Sequence, residues 1–345
     1  MSTLKTKATE LSVAFGLLNR EPNEIREEEL MSLMNETLGI ENFRKVKDEF
    51  YGPNKTLYST LFKLGKLVRM EYSPFSNIDN LYWSGPEKQA PTVSSSQDLL
   101  VSNIPVSIKN ESNVVYNLSP TNLFDMLSRG ALFVSRSENW FLKHAKKEMQ
   151  DLYELASKHL KNLPTEIYEF ERTADKSARR ELKKTIKEFD DVDRKIFNEH
   201  YLKMCHKVAQ ISADIFNNQF RQTFQTGQRS AFIDNIVKTF FRLNSVPYLL
   251  IGTDRSQPFA VIVPNITQWK QHRSIRNVYA QPDLKSGQCV VNFDLECENK
   301  DTFETKCYKF HAEIRWSHGK FCGNPESKLY KDFGWQDVIF LTNIV

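Results

Sequence analysis

The stretch QDLLVSNIPVSIKNESNVVYN, residues 97–117, predicts two short strands joined by a tight turn at Asn103. The first strand, DLLV, is an apolar run that Asp98 opens, and the second, IPVSI, is rich in isoleucine and valine and ends at Lys109. If the two strands pair around the turn, Asp98 and Lys109 come close together at one end of the hairpin.

The alternation of side chains along the second strand assigns its residues to two faces. Val106 and Ile108 share one face, whereas Ser107, Lys109 and Glu111 share the other. An acid and a lysine that adjacent strands offer together can bind a divalent metal and orient a water for attack on phosphate. The hairpin is therefore the first candidate for a catalytic site.

This arrangement resembles the PD-(D/E)xK nuclease family, which includes many restriction endonucleases. In the family pattern an aspartate precedes a second acid, and a lysine follows that acid two residues later. Asp98 matches the aspartate and Lys109 matches the lysine. Gln97 stands where the family has proline, and Ser107 stands where it has the second acid. The resemblance covers about twenty residues of the 345 in the chain.

The resemblance implies a metal-dependent endonuclease that hydrolyses phosphodiester bonds of double-stranded DNA, most similar to a type II restriction enzyme and acting as a homodimer. Asp98 and the carbonyl of Ile108 would hold Mg²⁺, which prefers oxygen ligands and keeps several waters. Lys109 would stabilise charge on the scissile phosphate or position the attacking water. Ser107 and Glu111 complete the set of candidate catalytic residues.

A second carboxylate for the metal has three candidates. Glu10, on the predicted N-terminal helix of residues 3–19, resembles the helix acid that joins the metal site in this family. Glu111 lies on the strand face of Lys109, and Asp125 lies on the helix predicted after the hairpin. Of the three we favour Glu10, as a metal ligand, and Glu111.

The composition is that of an ordinary globular protein, with 40% hydrophobic and 26% charged residues. The formal net charge of +4 is compatible with a nucleic-acid partner. No apolar run is long enough for a membrane span, so no membrane partner is expected. Five cysteines, an odd count, without an N-terminal apolar signal segment favour a reducing interior, so we expect a cytoplasmic protein.

The order of patterns along the chain predicts an α/β protein with a large helical segment and a β-rich C-terminal part, and the resemblance implies a PD-(D/E)xK-like mixed sheet core flanked by helices. We divide it into a nuclease core at residues 1–135, a helical segment at 136–245 and a β-rich region at 246–345, the last a candidate for DNA recognition. Prolines, glycine and serines predict a long loop over residues 73–96. The 171–195 segment is charged nearly all round, which favours a projecting or bridging helix.

Basic residues of the C-terminal part are candidates for contacts with DNA phosphates or base edges. Strand alternation over 302–316 puts Lys309 and Arg315 on the polar face of a half-buried antiparallel sheet. His318 and Lys320 follow at a glycine turn, and Arg273 lies in a predicted loop after Trp269.

Two other metal sites fit the C-terminal sequence. Asp294 with Glu304 and Lys306 also matches an acid followed by acid-x-lysine at hairpin spacing. A zinc site would draw on a set of cysteines and histidines that lacks a paired C-x-x-C knuckle: Cys297, Cys307, His311, His318 and Cys322. For the whole chain, a non-catalytic DNA-binding or regulatory protein and a nonspecific nuclease effector of a defence or toxin system are the alternatives to a restriction enzyme.

Overall fold

The computed structural model describes residues 3–27, 29, 39–78, 80–84, 97–129, 139–160 and 162–345. The helices described are α1 (Leu4–Leu18), α2 (Ile40–Tyr51), α3 (Lys55–Glu71), α4 (Pro120–Arg129), α5 (Trp140–His144), α6 (Lys146–Ser157), α7 (Ile167–Thr173), α8 (Lys176–Lys187), α9 (Asp191–Thr226), α10 (Arg229–Phe240) and α11 (Ile266–His272). The strands described are β1 (Leu81–Trp83), β2 (Leu99–Val101), β3 (Ile104–Asn110), β4 (Val114–Leu118), β5 (Tyr248–Asp254), β6 (Gln257–Val263), β7 (Arg273–Pro282), β8 (Cys289–Asn299), β9 (Thr305–Arg315), β10 (Glu326–Lys331) and β11 (Thr342–Asn343). This architecture confirms the predicted α/β class with a helical middle and a β-rich C-terminal part.

The chain forms two compact units, each assembled from separate stretches. Unit 1 comprises Met1–Asn113, Phe241–Arg273 and Phe333–Val345, and unit 2 comprises Val114–Phe240 and Ser274–Asp332. The three segments drawn from the sequence are consecutive, whereas the contacts that define each unit join distant parts of the chain. The candidate hairpin belongs to unit 1.

The sheet of unit 1 has the strand order β1-β2-β3-β5-β6-β11. β1, β2 and β3 form an antiparallel meander, β3 pairs in parallel with β5, and β5 pairs antiparallel with β6. A parallel pair requires a long crossover connection. Here the crossover between β3 and β5 carries β4 and the helices α4–α10.

The core of unit 1 lies between this sheet and the helices α1 and α3. Buried side chains from both layers meet there, including Leu11 and Leu61 of the helices and Leu99 and Val106 of the strands. The two helices approach closely because α3 carries Gly65, where a Cβ atom would lie 2.4 Å from the carbonyl oxygen of Val13. The predicted N-terminal helix is confirmed as α1.

The β2–β3 hairpin turns through two residues that both adopt positive φ, Ser102 (46°) and Asn103 (66°). Two successive positive φ values are the geometry of a type I′ turn, which matches the twist of the flanking strands. Val101 consequently pairs with Ile104, and Leu99 pairs with Val106. The tight turn predicted around Asn103 is confirmed, and it fixes the register of the hairpin.

Unit 2 is built on the sheet β4-β10-β9-β8-β7. The alternation predicted for β9 is confirmed, since Tyr308, Phe310, Ala312 and Ile314 are all buried. Phe240 of α10 packs edge-on against Phe310 with ring centroids 4.7 Å apart. One face of the sheet therefore lies against helices.

Three local predictions need correction. The 171–195 segment is broken into separate helices, and Leu182 of α8 is fully buried, so α8 packs by one face and is not charged all round. The predicted loop over 73–96 contains strand β1, while residues 79 and 85–96 lie outside the described residues. Arg273 begins strand β7 and is not in a loop.

Candidate active site

The hairpin of unit 1 brings Asp98 against the residues that precede Lys109. Asp98 directly precedes β2, and its backbone N–H donates to the carbonyl oxygen of Val106 at 2.9 Å. Ser107 and Lys109 are two positions apart on β3 and therefore share one face of the strand, and Lys109 is half-buried. The predicted pairing thus places the acid and the lysine-bearing segment at the same end of the hairpin.

The carboxylate of Asp98 is fixed by two donors of β3. Its Oδ2 accepts from the backbone N–H of Ile108 at 2.6 Å and from the hydroxyl of Ser107 at 3.3 Å. Within the described residues, Oδ1 has no hydrogen-bond donor. One oxygen therefore anchors the side chain to the strand, and the other takes no donor from the described residues.

The carbonyl of Ile108 is directed to the same edge of β3 as Asp98. A strand residue points its N–H and its C=O toward the same neighbouring strand. Because the N–H of Ile108 donates to Asp98, its carbonyl oxygen also points to the side of β2. The last β2–β3 pair at this end is Leu99 with Val106, so β2 has already ended at this level.

On the other side of β3, Lys109 pairs with Gly252 of β5. A Cβ atom on Gly252 would lie 1.6 Å from the carbonyl oxygen of Lys109, far inside contact distance. Only glycine permits this approach, so residue 252 sets how closely β5 holds the lysine-bearing strand. The sequence alone does not reveal this dependence.

Glu10 reaches the sheet through Trp83 of β1. The indole Nε1–H of Trp83 donates to Oε2 of Glu10 at 2.8 Å, and Trp83 is 1% exposed. Trp83 pairs with Leu99, the residue after Asp98, and the N–H of Ser84 donates to the carbonyl oxygen of Asp98 at 3.1 Å. The helix acid is therefore held by the strand that borders Asp98. Sequence reasoning missed this role of Trp83, because β1 has only three residues.

Glu111 does not continue the strand face of Lys109. β3 ends at Asn110, and Glu111 has a φ of 49°, which interrupts the alternation. Its Oε1 accepts from the N–H of Ser256 in the β5–β6 turn at 2.8 Å. Glu111 thus braces a turn of the sheet. Asp125, the third candidate acid, lies on α4 in unit 2.

The predicted DNA-contact residues of unit 2 have unequal access to solvent. Lys309 and His318 are exposed. Arg315 is half-buried and forms an ion pair with Glu313 at 3.3 Å. The ammonium of Lys320 lies 4.2 Å from the ring centroid of Tyr201, and burial lowers the pKa of Lys320. Lys320 therefore packs against aromatic rings, and the prediction that it contacts phosphate does not fit this position.

Arg273, the fifth predicted DNA contact, lies in unit 1 and donates from Nη1 to the carbonyl oxygen of His272 at 2.8 Å. Arg273 is half-buried at the start of β7.

The two alternative metal sites of unit 2 are not assembled. In the β8–β9 register Asp294 pairs with Lys309, whereas Lys306 pairs with Cys297, three positions away. Three positions correspond to roughly 10 Å along a strand. For the zinc proposal, His311 Nδ1 lies 2.8 Å from Asp332. Among the described residues, no group of three or more histidine, cysteine or acidic side chains is arranged to hold a metal ion.

No described helix combines the length and the apolar character that crossing a membrane requires. Comparison with protein-family models, with curated proteins and with solved structures found no match for this chain.

Proposed function

We propose that the protein is a metal-dependent endonuclease that hydrolyses phosphodiester bonds of double-stranded DNA. The observation that carries the proposal is the carboxylate of Asp98, which β3 fixes through Oδ2 beside the segment that bears Lys109, while Oδ1 takes no donor from the described residues. A carboxylate held rigidly at the open end of a hairpin, next to a lysine, is an arrangement suited to a cation and a phosphate.

The donor set fits Mg²⁺, which binds through one or two carboxylates and keeps several waters. Asp98 and the carbonyl oxygen of Ile108 would supply oxygen ligands at the same edge of β3. We take Glu10 as the second metal ligand, because Trp83 holds it on the strand next to β2, whereas Glu111 caps a turn. When bound, Mg²⁺ would lower the pKa of a coordinated water and neutralise developing charge.

The chain's own residues would position the substrate and balance its charge. Lys109 would face a non-bridging oxygen of the scissile phosphate, where a cation stabilises the negative charge of the transition state. Ser107 takes no carboxylate role, since its hydroxyl donates to Asp98. Its part is to orient Asp98. A homodimer acting on a palindromic site is the assembly that the restriction-enzyme resemblance implies.

The test is cleavage of phage DNA with and without Mg²⁺ by the wild type, by Lys109→Ala and by Lys63→Ala. Lys63 is an exposed lysine of α3 in the same unit and serves as the matched control. We expect Lys109→Ala to bind DNA as the wild type does while its cleavage falls by about 10²–10³-fold, the effect of removing one transition-state donor. Lys63→Ala should cut normally.

The other outcomes separate the competing functions. Discrete fragments identify a sequence-specific enzyme, whereas a smear or cleavage of RNA identifies a nonspecific effector. Binding of DNA without cleavage by the wild type identifies a non-catalytic binding protein. Equal cutting by the wild type and Lys109→Ala refutes the site.

A further inference from the structure

Helix α8 of unit 2 carries an unbroken row of positive charge. Its sequence, KSARRELKKTIK, has six basic residues and one acid within twelve positions. Four of the basic residues are exposed: Lys176, Arg180, Lys184 and Lys187. At 3.6 residues per turn these four lie within an arc of about 80° and span about 16 Å of helix axis. We call them the α8 stripe.

The rest of the helix explains why the stripe faces outward. Leu182 is fully buried on the opposite side. Arg179 donates to the carbonyl oxygen of Phe321 at 2.8 Å, and Lys183 donates to that of His318. These two cations attach α8 to the loop at residues 318–321, so they are occupied within unit 2. The stripe is the part of the basic set that packing does not use.

Among the described residues, one member of the stripe forms an ion pair. Lys184 lies 3.7 Å from Glu188, and both side chains are mostly exposed. Lys176, Arg180 and Lys187 have no ion-pair partner among the described residues. Consecutive members of the stripe are three or four positions apart, a spacing at which like charges on a helix repel. Lys176 also stands at the N-terminus, where the helix dipole disfavours a cation.

We propose that the α8 stripe binds the sugar-phosphate backbone of duplex DNA. Its length and single sign match this partner, because one strand of B-DNA presents a phosphate about every 3.4 Å along the axis, or about five over the stripe. The repulsion within the row is relieved when a polyanion lies along it. This inference rests on the proposed function for the identity of the duplex, and it gives unit 2 a part in holding the substrate.

The experiment measures binding of a 20-base-pair duplex in EDTA, so that cleavage plays no part. The test variant replaces all four stripe residues with glutamine. The control variant replaces four exposed cations scattered over unit 2, again three lysines and one arginine, with glutamine: Lys158, Lys203, Arg221 and Lys285. Both variants change the net charge equally. Dissociation constants are measured from 50 to 200 mM NaCl, and thermal unfolding is recorded for each protein.

We expect the stripe variant to lose about 10²–10³-fold in affinity and the slope of log K against log salt to become shallower by about 3 to 4, since each phosphate contact contributes about 0.9. Its melting temperature should not fall, because like-charge neighbours are removed. In the control variant, the slope of log K against log salt should become shallower by less than half as much as in the stripe variant. Unchanged affinity and slope in the stripe variant, or equal losses in both variants, overturn the proposal. Tighter binding to poly-glutamate than to the duplex also overturns it.

Loss of Mg²⁺-dependent cleavage in Lys109→Ala bears on the hairpin site alone. Loss of duplex binding by the stripe variant, measured in EDTA, bears on α8 alone. A failure of either proposal is therefore visible without the other.

Discussion

The close approach of Gly252 to Lys109 makes the replacement Gly252→Ala a direct test of how the sheet positions the candidate site. A Cβ atom at 252 would lie 1.6 Å from the carbonyl oxygen of Lys109, whereas ordinary van der Waals contact begins at 3.4 Å. The strands must therefore separate by about 1.8 Å at this pair. Backbone hydrogen bonds near 2.9 Å do not survive that displacement.

The cost of the substitution has two parts. Losing about two ladder hydrogen bonds costs about 2 kcal/mol, and overpacking a buried site costs about 1–3 kcal/mol. We expect Gly252→Ala to lower the free energy of unfolding of unit 1 by about 3–5 kcal/mol. This is a large share of the stability of a typical domain.

Urea unfolding and hydrogen exchange by mass spectrometry measure the effect. Peptides that cover β3 and β5 should lose protection in Gly252→Ala. Gly287→Ala is the control, since a Cβ atom there meets nothing within 4 Å, and it should change the free energy of unfolding by less than about 0.5 kcal/mol. Wild-type protection of β3 and β5 in Gly252→Ala would show that the strands do not meet as described.

Two further predictions concern the anchored carboxylate and the thiols. Asp98→Ala leaves the N–H of Ile108 without its acceptor and should cost about 1.5–3 kcal/mol in urea unfolding. Asp98→Asn keeps an acceptor and should cost less than half as much, yet both variants should lose Mg²⁺-dependent cleavage; normal cleavage by Asp98→Asn would make Asp98 a purely structural residue. In native protein at pH 8 a thiol reagent should label the exposed Cys307, and labelling should accelerate as the pH rises, because partial desolvation raises the pKa of the thiol and leaves most of it protonated at pH 8. Cys205 should stay unlabelled until urea is added, since it is buried and burial raises its pKa to about 12; equal labelling rates for both cysteines would contradict their described burial.

The hairpin could be predicted from the sequence because its determinants are local. Strands β2 and β3 are separated by two residues, and the apolar alternation of each is visible in a few positions. The buried face of β9 was predictable for the same reason. Strand β1 could not be predicted, since three residues inside a proline- and serine-rich segment are too few to show the alternation of a strand.

The surroundings of the site depend on distant residues and on backbone angles that the sequence does not display. The positive φ of Glu111 removes it from the strand face on which simple alternation puts it. The ammonium of Lys320 packs over the ring of Tyr201, which lies more than a hundred residues earlier in the chain. The tight contact of Gly252 appears only when β5 is paired with β3.

The parallel pairing of β3 with β5 also affects the order of synthesis. Asn110 and Thr253, which meet across this pair, are 143 positions apart. At 5–20 residues per second, β5 is made about 7–30 s after β3. During that interval a nascent chain carries the β1–β2–β3 meander with an unpaired strand edge, a template for pairing with other chains. Ribosome-bound chains that stop before residue 248 should therefore depend on chaperones more than the finished protein does.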